Sequence, residues 1–224
     1  MLKIGHRGSM GYEPENTLLS FKKAIKQKVD MIELDIHTCK SGELVVIHDP
    51  KVNRTTNGKG FVSKKTIDEL KKFDAGKGET IPLLSEVLDL VNKKIKVNIE
   101  LKSDKTIIPL NKLILQYINE GWNYNHFLIS SFDFKALLKL NRLNPKIRIG
   151  IIPSKSSDTL SKFTSKIAAY SIHINKDYVS KKIVREIHSS GLKIFVWTVN
   201  SVKEIKRIKS FGVDGIFSNY PDRL

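Results

Sequence analysis

The chain has 224 residues, of which 40% are hydrophobic, and a formal net charge of +16 at pH 7. This composition is sufficient for a buried core, and no apolar run approaches the roughly 18–20 residues that a membrane-spanning helix needs. The charge favours phosphate-bearing partners, but the lysines are spread along helix-like segments without interleaved aromatics, so we expect no nucleic acid partner.

Cys39 is the only cysteine, which excludes an intramolecular disulfide and favours a reducing, cytoplasmic location. The opening Met1-Leu2-Lys3 runs directly into strand-like sequence, so we expect neither a leader peptide nor a transmembrane segment. The positive charge is compatible with peripheral contact with an anionic membrane surface. The oligomeric state stays open.

Short apolar runs, typical of strands buried on both faces of a parallel sheet, alternate with amphipathic segments typical of helices. In chain order, the predicted strands are Lys3–His6, Met31–His37, Lys96–Leu101, Phe127–Ser130, Ile147–Ile152, Ser171–Ile174, Ile194–Thr198 and Gly215–Phe217. The predicted helices are Thr17–Gln27, Ser85–Val91 with Ser85 as its N-cap, Ile107–Asn119, Phe134–Leu143, Leu160–Ala169, Ser180–His188 and Val202–Lys209.

Eight strands alternating with helices in 224 residues favour an α/β fold of the closed (β/α)8 TIM-barrel type over an open doubly wound sheet. Residues 38–82 interrupt the alternation, because they contain an extra strand, Leu44–His48, a polar loop and the short amphipathic segment Lys65–Phe73. We interpret residues 38–82 as a small insertion after the second strand. The whole chain, residues 1–224, is then a single barrel domain.

Acidic side chains lie at the predicted carboxyl ends of two strands. Glu33 and Asp35 are two residues apart, so both project from one strand face, and Glu100 and Lys102 have the same relation. The carboxyl ends of all barrel strands open on one rim, where active sites lie. Three carboxylates converging there repel one another unless a cation lies among them. The chemistry of oxygen ligands favours Ca²⁺ or Mg²⁺ over zinc.

Two histidines follow predicted strands at the same rim. His6 and His48 have side chains suited to proton transfer near neutral pH. Arg7 and Lys102 add cationic groups that can bind a phosphate. Two histidines, a metal site and two anion-binding groups are what the cleavage of a phosphodiester requires. The other histidines are interpreted as packed or solvated side chains: His37, His126, His173 and His188.

Motifs along essentially the whole chain carry a resemblance to a known family. In the first half they are His6-Arg7-Gly8, Pro14-Glu15-Asn16-Thr17, Glu33-Leu34-Asp35-Ile36, Gly42-Glu43-Leu44-Val45-Val46-Ile47-His48-Asp49 and Arg54-Thr55-Thr56-Asn57-Gly58. Further along they are Ile81-Pro82-Leu83-Leu84, Glu100-Leu101-Lys102, Ser130-Ser131-Phe132, Trp197-Thr198-Val199-Asn200 and Asp214-Gly215-Ile216. In this order the set resembles the glycerophosphodiester phosphodiesterase family.

The resemblance implies a metal-dependent (β/α)8 barrel that hydrolyses glycerophosphodiesters to glycerol 3-phosphate and an alcohol such as choline or ethanolamine. The three rim carboxylates match the family's metal ligands. His6 and His48 match its catalytic pair, and Arg7 and Lys102 match its phosphate contacts. One histidine would remove a proton from the attacking oxygen while the other protonates the leaving alkoxide; we assign the acid role to His48.

The chain departs from the family's pattern at two places. Ser41 stands where an acidic residue is common, and Ser218-Asn219 stands where Thr-Asp is frequent. We expect neither departure to touch the chemistry.

Four supporting residues have two interpretations each. Asn16 either caps the first helix or contacts a ligand. Glu15 either orients Arg7 or is solvated, and the resemblance favours orientation. Trp197 either lines the substrate pocket or belongs to the core, and Phe132 has the same two interpretations.

Two other functions stay open at this point. A lysophospholipid or sphingomyelin phosphodiesterase of the same superfamily should expose an apolar collar around its active site, whereas residues 50–80 are polar. A non-catalytic barrel that binds phosphate or nucleic acid would account for the charge of +16. Such a binder requires cations only, and the histidines and carboxylates of this chain go beyond that requirement.

Overall fold

The structure is a computed structural model that describes residues 1–153 and 167–224. Its strands are β1 (Leu2–Gly5), β2 (Met31–Thr38), β3 (Leu44–Val46), β4 (Lys96–Leu101), β5 (Phe127–Ser131), β6 (Arg148–Ile151), β7 (Ala169–Asn175), β8 (Lys193–Trp197) and β9 (Gly215–Ser218). Its α-helices are α1 (Leu18–Lys26), α2 (Ile67–Leu70), α3 (Leu84–Val91), α4 (Ile107–Asn119), α5 (Phe134–Leu143), α6 (Lys181–Ser189) and α7 (Val202–Lys209). Within the described ranges, every helix is too short or too polar to cross a membrane.

The sheet closes on itself. Its strand order is β1-β9-β8-β7-β6-β5-β4-β2-β3, and an additional parallel pairing of β1 with β2 joins the two sides. Among the strands in the described ranges, only β3 is antiparallel to its neighbour, and it pairs with the carboxyl end of β2 at Ile36–Thr38. The other eight strands form a closed parallel barrel with connecting helices. The predicted (β/α)8 barrel with an insertion after its second strand is confirmed.

Side-chain alternation along the strands separates two apolar regions. In β2, Ile32, Leu34 and Ile36 are fully buried in the large core between the barrel and the helices. Met31 instead belongs to a cluster of residues from five strands, which lies inside the barrel: Ile4, Met31, Leu128, Phe195 and Phe217. Because inward residues recur every second position, Glu33 and Asp35 point into the barrel above this apolar cluster.

Polar side chains cap the N-termini of several helices, and one predicted N-cap is wrong. The Thr17 and Ser180 side chains accept hydrogen bonds from the first turns of α1 and α6, as N-caps do. The prediction that Ser85 caps α3 is wrong, because the helix begins at Leu84. Leu83 is the N-cap residue and makes no side-chain hydrogen bond to the helix. The Glu86 carboxylate instead accepts a hydrogen bond from the backbone N–H of Leu83 at 2.7 Å.

Other boundaries differ by a few residues. The predicted extra strand Leu44–His48 ends at Val46, and the predicted segment Lys65–Phe73 is helical only over α2. The helix predicted over Leu160–Ala169 lies outside the described residues except for its last three positions, and Ala169 begins β7.

The segment between β2 and α3 has its own small apolar core. Its members come from β3, the short α2 and the turns between them: Cys39, Val45, Ile47, Val52, Val62, Leu70 and Ile81. Val52 is fully buried in this core and begins a single 3₁₀ turn, Val52–Arg54. The core therefore places the residues of that turn at the rim of the barrel.

The packing of α5 against the barrel generates a stability prediction. Leu140 is fully buried and Leu143, on the same helix, is 45% exposed. Leu140→Ala should lower the free energy of unfolding by about 2–5 kcal/mol through lost apolar contact and a residual cavity. Leu143→Ala, with the same chemical change, should cost less than about 1 kcal/mol. Urea unfolding followed by circular dichroism measures both, and equal losses would contradict this packing.

Candidate active site

A pocket opens at the carboxyl ends of the barrel strands. Its empty volume, with the open mouth included, is about 490 Å³. Its lining combines charged, polar and aromatic side chains from almost every strand: His6, Arg7, Glu33, His48, Asn98, Glu100, Lys102, Ser130, Phe132, Ile152, His173, Trp197 and Phe217.

Three carboxylates meet at one side of this pocket. Glu33 and Asp35 project inward from β2 and are 3% and 1% exposed. Glu100 comes from the adjacent strand β4, where it is the direct register partner of Asp35. One oxygen from each of the three carboxylates lies within 4.8 Å of the others. The convergence predicted from the sequence is therefore present.

The charges in this cluster are only partly compensated. The Lys102 ammonium is 2.9 Å from Asp35 Oδ1 and also contacts Glu100 Oε1. Burial favours a raised pKa for Asp35, but Lys102 and Arg7 together lower it below its ordinary value. Burial, and then the charge of Asp35, raise the pKa of Glu100. Burial and the charges of Asp35 and Glu100 raise the pKa of Glu33 well above its ordinary value.

The cluster fits a hard divalent cation. Its donors are carboxylate oxygens, the ligands that Ca²⁺ and Mg²⁺ prefer, and the three carboxylates have two side-chain cations, Lys102 and Arg7, beside them. Among the described residues, Glu33, Asp35 and Glu100 are the one such group that could bind a metal ion.

His6 lies directly after β1, and its backbone N–H donates a hydrogen bond to the carbonyl of Ser218 in β9 at 3.0 Å. Its Nδ1 is 2.7 Å from Asn219 Oδ1. Since an amide oxygen only accepts hydrogen bonds, this pairing assigns the proton to Nδ1 and leaves Nε2 as the basic nitrogen. Nε2 faces the carboxylate cluster, 4.0 Å from Glu33 Oε2. Burial, and next the charge of Arg7, lower the pKa of His6 to about 4.

The contact with Asn219 corrects one expectation. The departure at Ser218-Asn219 was expected to leave the chemistry untouched, but Asn219 is the hydrogen-bond partner of a proposed catalytic histidine. Its own backbone N–H donates to Asn200 Oδ1 at 2.9 Å, which holds the Asn219 loop beside β1.

Arg7 is held by several anionic groups at the turn after β1. Its backbone has a positive φ of 49°, and its N–H donates to Glu33 Oε2 at 2.8 Å. In the side chain, Nη1 donates to Glu15 Oε1 at 2.8 Å, and Nε is 3.3 Å from Asp35 Oδ2. Glu15 is therefore in contact with Arg7 rather than solvated.

His48 lies opposite, in the loop after β3. Its Nδ1 is 2.6 Å from Asp49 Oδ1, so this imidazole is paired with a carboxylate, whereas that of His6 is paired with a neutral amide. His37, interpreted from the sequence as packed or solvated, contacts the same loop through an Nε2 that donates to the His48 carbonyl at 3.1 Å.

The structure decides between the interpretations of the other supporting residues. Asn16 is not a helix cap, because Thr17 caps α1 and the Asn16 amide donates to Asp35 Oδ2 at 2.9 Å. Phe132 is 49% exposed and therefore not a core residue. It lines the pocket with the half-buried Trp197, whose ring is nearly perpendicular at a centroid distance of 5.8 Å.

Further side chains at this site were not predicted from the sequence. Asn98 and His173 are buried at the pocket, and Asn98 donates a hydrogen bond to Ser130 Oγ at 3.0 Å. The position of Asn98, two residues before Glu100 on one strand face, was a usable signal. Asp49 could have been predicted as a partner of His48 because the two residues are adjacent in the sequence. Nothing in the sequence indicates the contact of Asn219 with His6.

The comparisons with known proteins agree with this geometry. Residues 6–223 match the model of the glycerophosphoryl diester phosphodiesterase family. A glycerophosphodiester phosphodiesterase of Caldanaerobacter subterraneus is 37% identical, over 100% of this chain and 96% of its own length. A human lysophospholipase D is 27% identical, over 99% of this chain and 84% of its own length.

A solved structure extends the similarity to the fold. It is that of an Oleispira antarctica phosphodiesterase in complex with the product sn-glycerol-3-phosphate. The two chains superpose with a TM-score of 0.92 at 30% sequence identity, over 98% of this chain and 93% of the other. The chain described here therefore belongs to the glycerophosphoryl diester phosphodiesterase family and is an enzyme of that family.

Proposed function

We propose that the protein hydrolyses small glycerophosphodiesters to glycerol 3-phosphate and an alcohol, and that a divalent cation, Ca²⁺ or Mg²⁺, is required. The observation that carries the proposal is the meeting of three carboxylates, two of them buried, with two histidines and two cationic side chains at one pocket. The related phosphodiesterase with bound sn-glycerol-3-phosphate supports the substrate class. We infer no nucleic acid substrate, since a pocket closed by barrel walls suits a small molecule better than a polymer.

Different residues of the pocket would bind the cation and the phosphate. Glu33, Asp35 and Glu100 would hold the cation, which when bound supplies positive charge to polarise a phosphoryl oxygen. Arg7 and Lys102 would bind the other phosphoryl oxygens, where their charges stabilise the negative charge that accumulates during the displacement. The side chains of Arg7 and Lys102 are already held in place by carboxylates, so they need little reorganisation when the substrate binds.

The partners of the two histidines suggest different roles in proton transfer. His6 is paired with a neutral amide and its pKa is lowered to about 4, so it is unprotonated near neutral pH and suits the role of base. The His48 imidazole is paired with the Asp49 carboxylate, and we assign it the role of the acid that donates a proton to the leaving alkoxide. Either water or the neighbouring glycerol hydroxyl supplies the attacking oxygen; the latter gives a cyclic phosphate first.

A cytoplasmic location and peripheral contact with anionic membranes are part of the same proposal. The first rests on the single cysteine, and the second rests on the net charge of +16.

A second candidate function is the cleavage of lysophospholipids. Phe132 at the pocket mouth and Phe61 in the insertion are each about half exposed, at 49% and 48%, and a lysophospholipase D is among the relatives. Two separate aromatic side chains do not make a continuous apolar collar, so we favour the water-soluble substrate. Comparing the rates with glycerophosphocholine and lysophosphatidylcholine decides between the two substrates.

Metal removal is the first prediction for this function. EDTA should lower the release of glycerol 3-phosphate from glycerophosphocholine at least about 100-fold, because several kcal/mol of transition-state stabilisation are lost. Added Ca²⁺ or Mg²⁺ should restore the activity. Calorimetry should show cation binding that is lost in Glu33→Gln and kept in Glu120→Gln, an exposed control after α4. Full activity in EDTA would contradict the proposed metal dependence.

The two histidines give the second prediction. His6→Ala and His48→Ala should each lower kcat roughly 100- to 10,000-fold, the usual cost of losing a general acid or base, while cation binding survives. His188→Ala is the control, since His188 is exposed at the end of α6 and pairs with Asp214. Full activity of either active-site variant would remove that histidine from the mechanism.

The third prediction concerns pH. Asn219→Asp places a carboxylate 2.7 Å from His6 Nδ1, which stabilises the imidazolium and raises the pKa of His6. A base with a higher pKa is protonated at higher pH, so the acidic limb of the kcat/KM profile should move upward by about one to three pH units. Asn125→Asp, an exposed change before β5, should leave the profile in place. A downward shift in Asn219→Asp would contradict the base role of His6.

A further inference from the structure

Arg54 lies in the insertion, in the 3₁₀ turn Val52–Arg54, and does not line the pocket itself. Its guanidinium donates four hydrogen bonds to two carboxylates. Nη1 and Nη2 donate to Glu15 Oε2 and Oε1 at 2.7 and 2.8 Å. Nε and Nη2 donate to Asp49 Oδ2 and Oδ1 at 2.7 and 3.1 Å. Arg54 therefore binds both carboxylates in the bidentate geometry that only a planar fork allows.

Each of these carboxylates also contacts a side chain in the pocket. Glu15 Oε1 accepts a hydrogen bond from Arg7 Nη1, and Asp49 Oδ1 is 2.6 Å from His48 Nδ1. A single guanidinium thus joins the partner of the phosphate-binding arginine to the partner of the proposed acid. The connection joins the segment after β1 to the loop after β3.

The electrostatics explain why this connection matters for geometry. Glu15 and Asp49 bind the same guanidinium, so their negative charges lie close together and repel each other without it. Arg54 lowers the pKa of both carboxyl groups and keeps both ionised. An isolated exposed ion pair contributes little stability, but a shared bidentate pair fixes the relative position of its two partners.

The fold holds Arg54 in place for this contact. Val52 is fully buried in the small core of the insertion, and its backbone N–H donates to the Gly60 carbonyl at 3.0 Å. The Thr56 hydroxyl donates to the Val52 carbonyl at 2.8 Å and closes the turn. The backbone at Arg54 is therefore fixed although its side chain is 47% exposed.

We propose that Arg54 is a positioning residue for phosphodiester cleavage, which fixes the His48 imidazole and the Arg7 guanidinium at the correct separation across the phosphate. The inference rests on the proposed function. It gives the insertion a role in the reaction: its small core places one arginine over the two carboxylates that orient the reacting groups.

The test compares two substrates that differ in leaving group. Glycerophosphocholine releases a basic alkoxide that needs a proton from the acid, whereas the 4-nitrophenyl diester of glycerol 3-phosphate releases a stable phenolate that does not. The variants are Arg54→Met, Arg54→Lys and the control Lys77→Met. Lys77 is an exposed cation on the same rim that pairs with Glu13 at 2.6 Å and has no contact with either carboxylate of the proposal.

Arg54→Met should lower kcat for glycerophosphocholine roughly 10- to 100-fold, the usual cost of losing a residue that orients a reacting group. It should lower kcat for the nitrophenyl ester much less and raise KM for both substrates, since Arg7 also loses its support. Arg54→Lys, with one point charge for two carboxylates, should be intermediate, and Lys77→Met should match the unaltered protein. In an Asp49→Asn background, Arg54→Met should cost little further kcat, because both changes act through His48.

Equal kcat losses for the two substrates, or no loss in either Arg54 variant, would overturn the inference. Circular dichroism on each variant separates unfolding from misplacement, and Arg54→Lys keeps the test decisive if Arg54→Met does not fold. Failure of the unaltered protein to cleave both diesters with Ca²⁺ and with Mg²⁺ would instead overturn the proposed function, and the inference with it.

Discussion

The structure depends on an excess of negative charge inside the barrel. Glu33, Asp35 and Glu100 are brought together by the parallel pairing of β2 with β4, above an apolar cluster that excludes water from below. Burying three carboxylates is unfavourable unless cations and hydrogen-bond donors surround them. Lys102 and Arg7 supply part of that compensation. Three carboxylates beside two side-chain cations leave a pocket suited to a divalent cation and a phosphate together.

The two histidines of the pocket have unequal surroundings. His6 is largely buried beside Arg7 and paired with a neutral amide, and burial is the main cause of its lowered pKa. His48 is more exposed and is paired with the Asp49 carboxylate. The barrel thus brings two histidines with different partners into one pocket, on loops that follow different strands.

A network of ion pairs joins two segments at the rim of the barrel. Arg54 connects Glu15 with Asp49, and these carboxylates contact Arg7 and His48. Such pairs add little to global stability at a surface, but they restrict the positions of long side chains. The apolar core of the insertion complements them, because it fixes the backbone from which Arg54 extends. Stability and positioning are thus supplied by different parts of one segment.

The barrel and most of the pocket could be predicted from the residues alone, because both follow from local rules. Alternation along β2 places Glu33 and Asp35 on one face, and the helical periodicity of Ile107–Asn119 predicts α4 at its observed bounds. Only the tertiary structure decided which loops meet. Asn219 contacts His6 although 213 positions separate them, since β9 pairs with β1 when the barrel closes. Arg54 reaches Glu15 for a related reason: the insertion folds back over the rim, and no spacing in the chain records that contact.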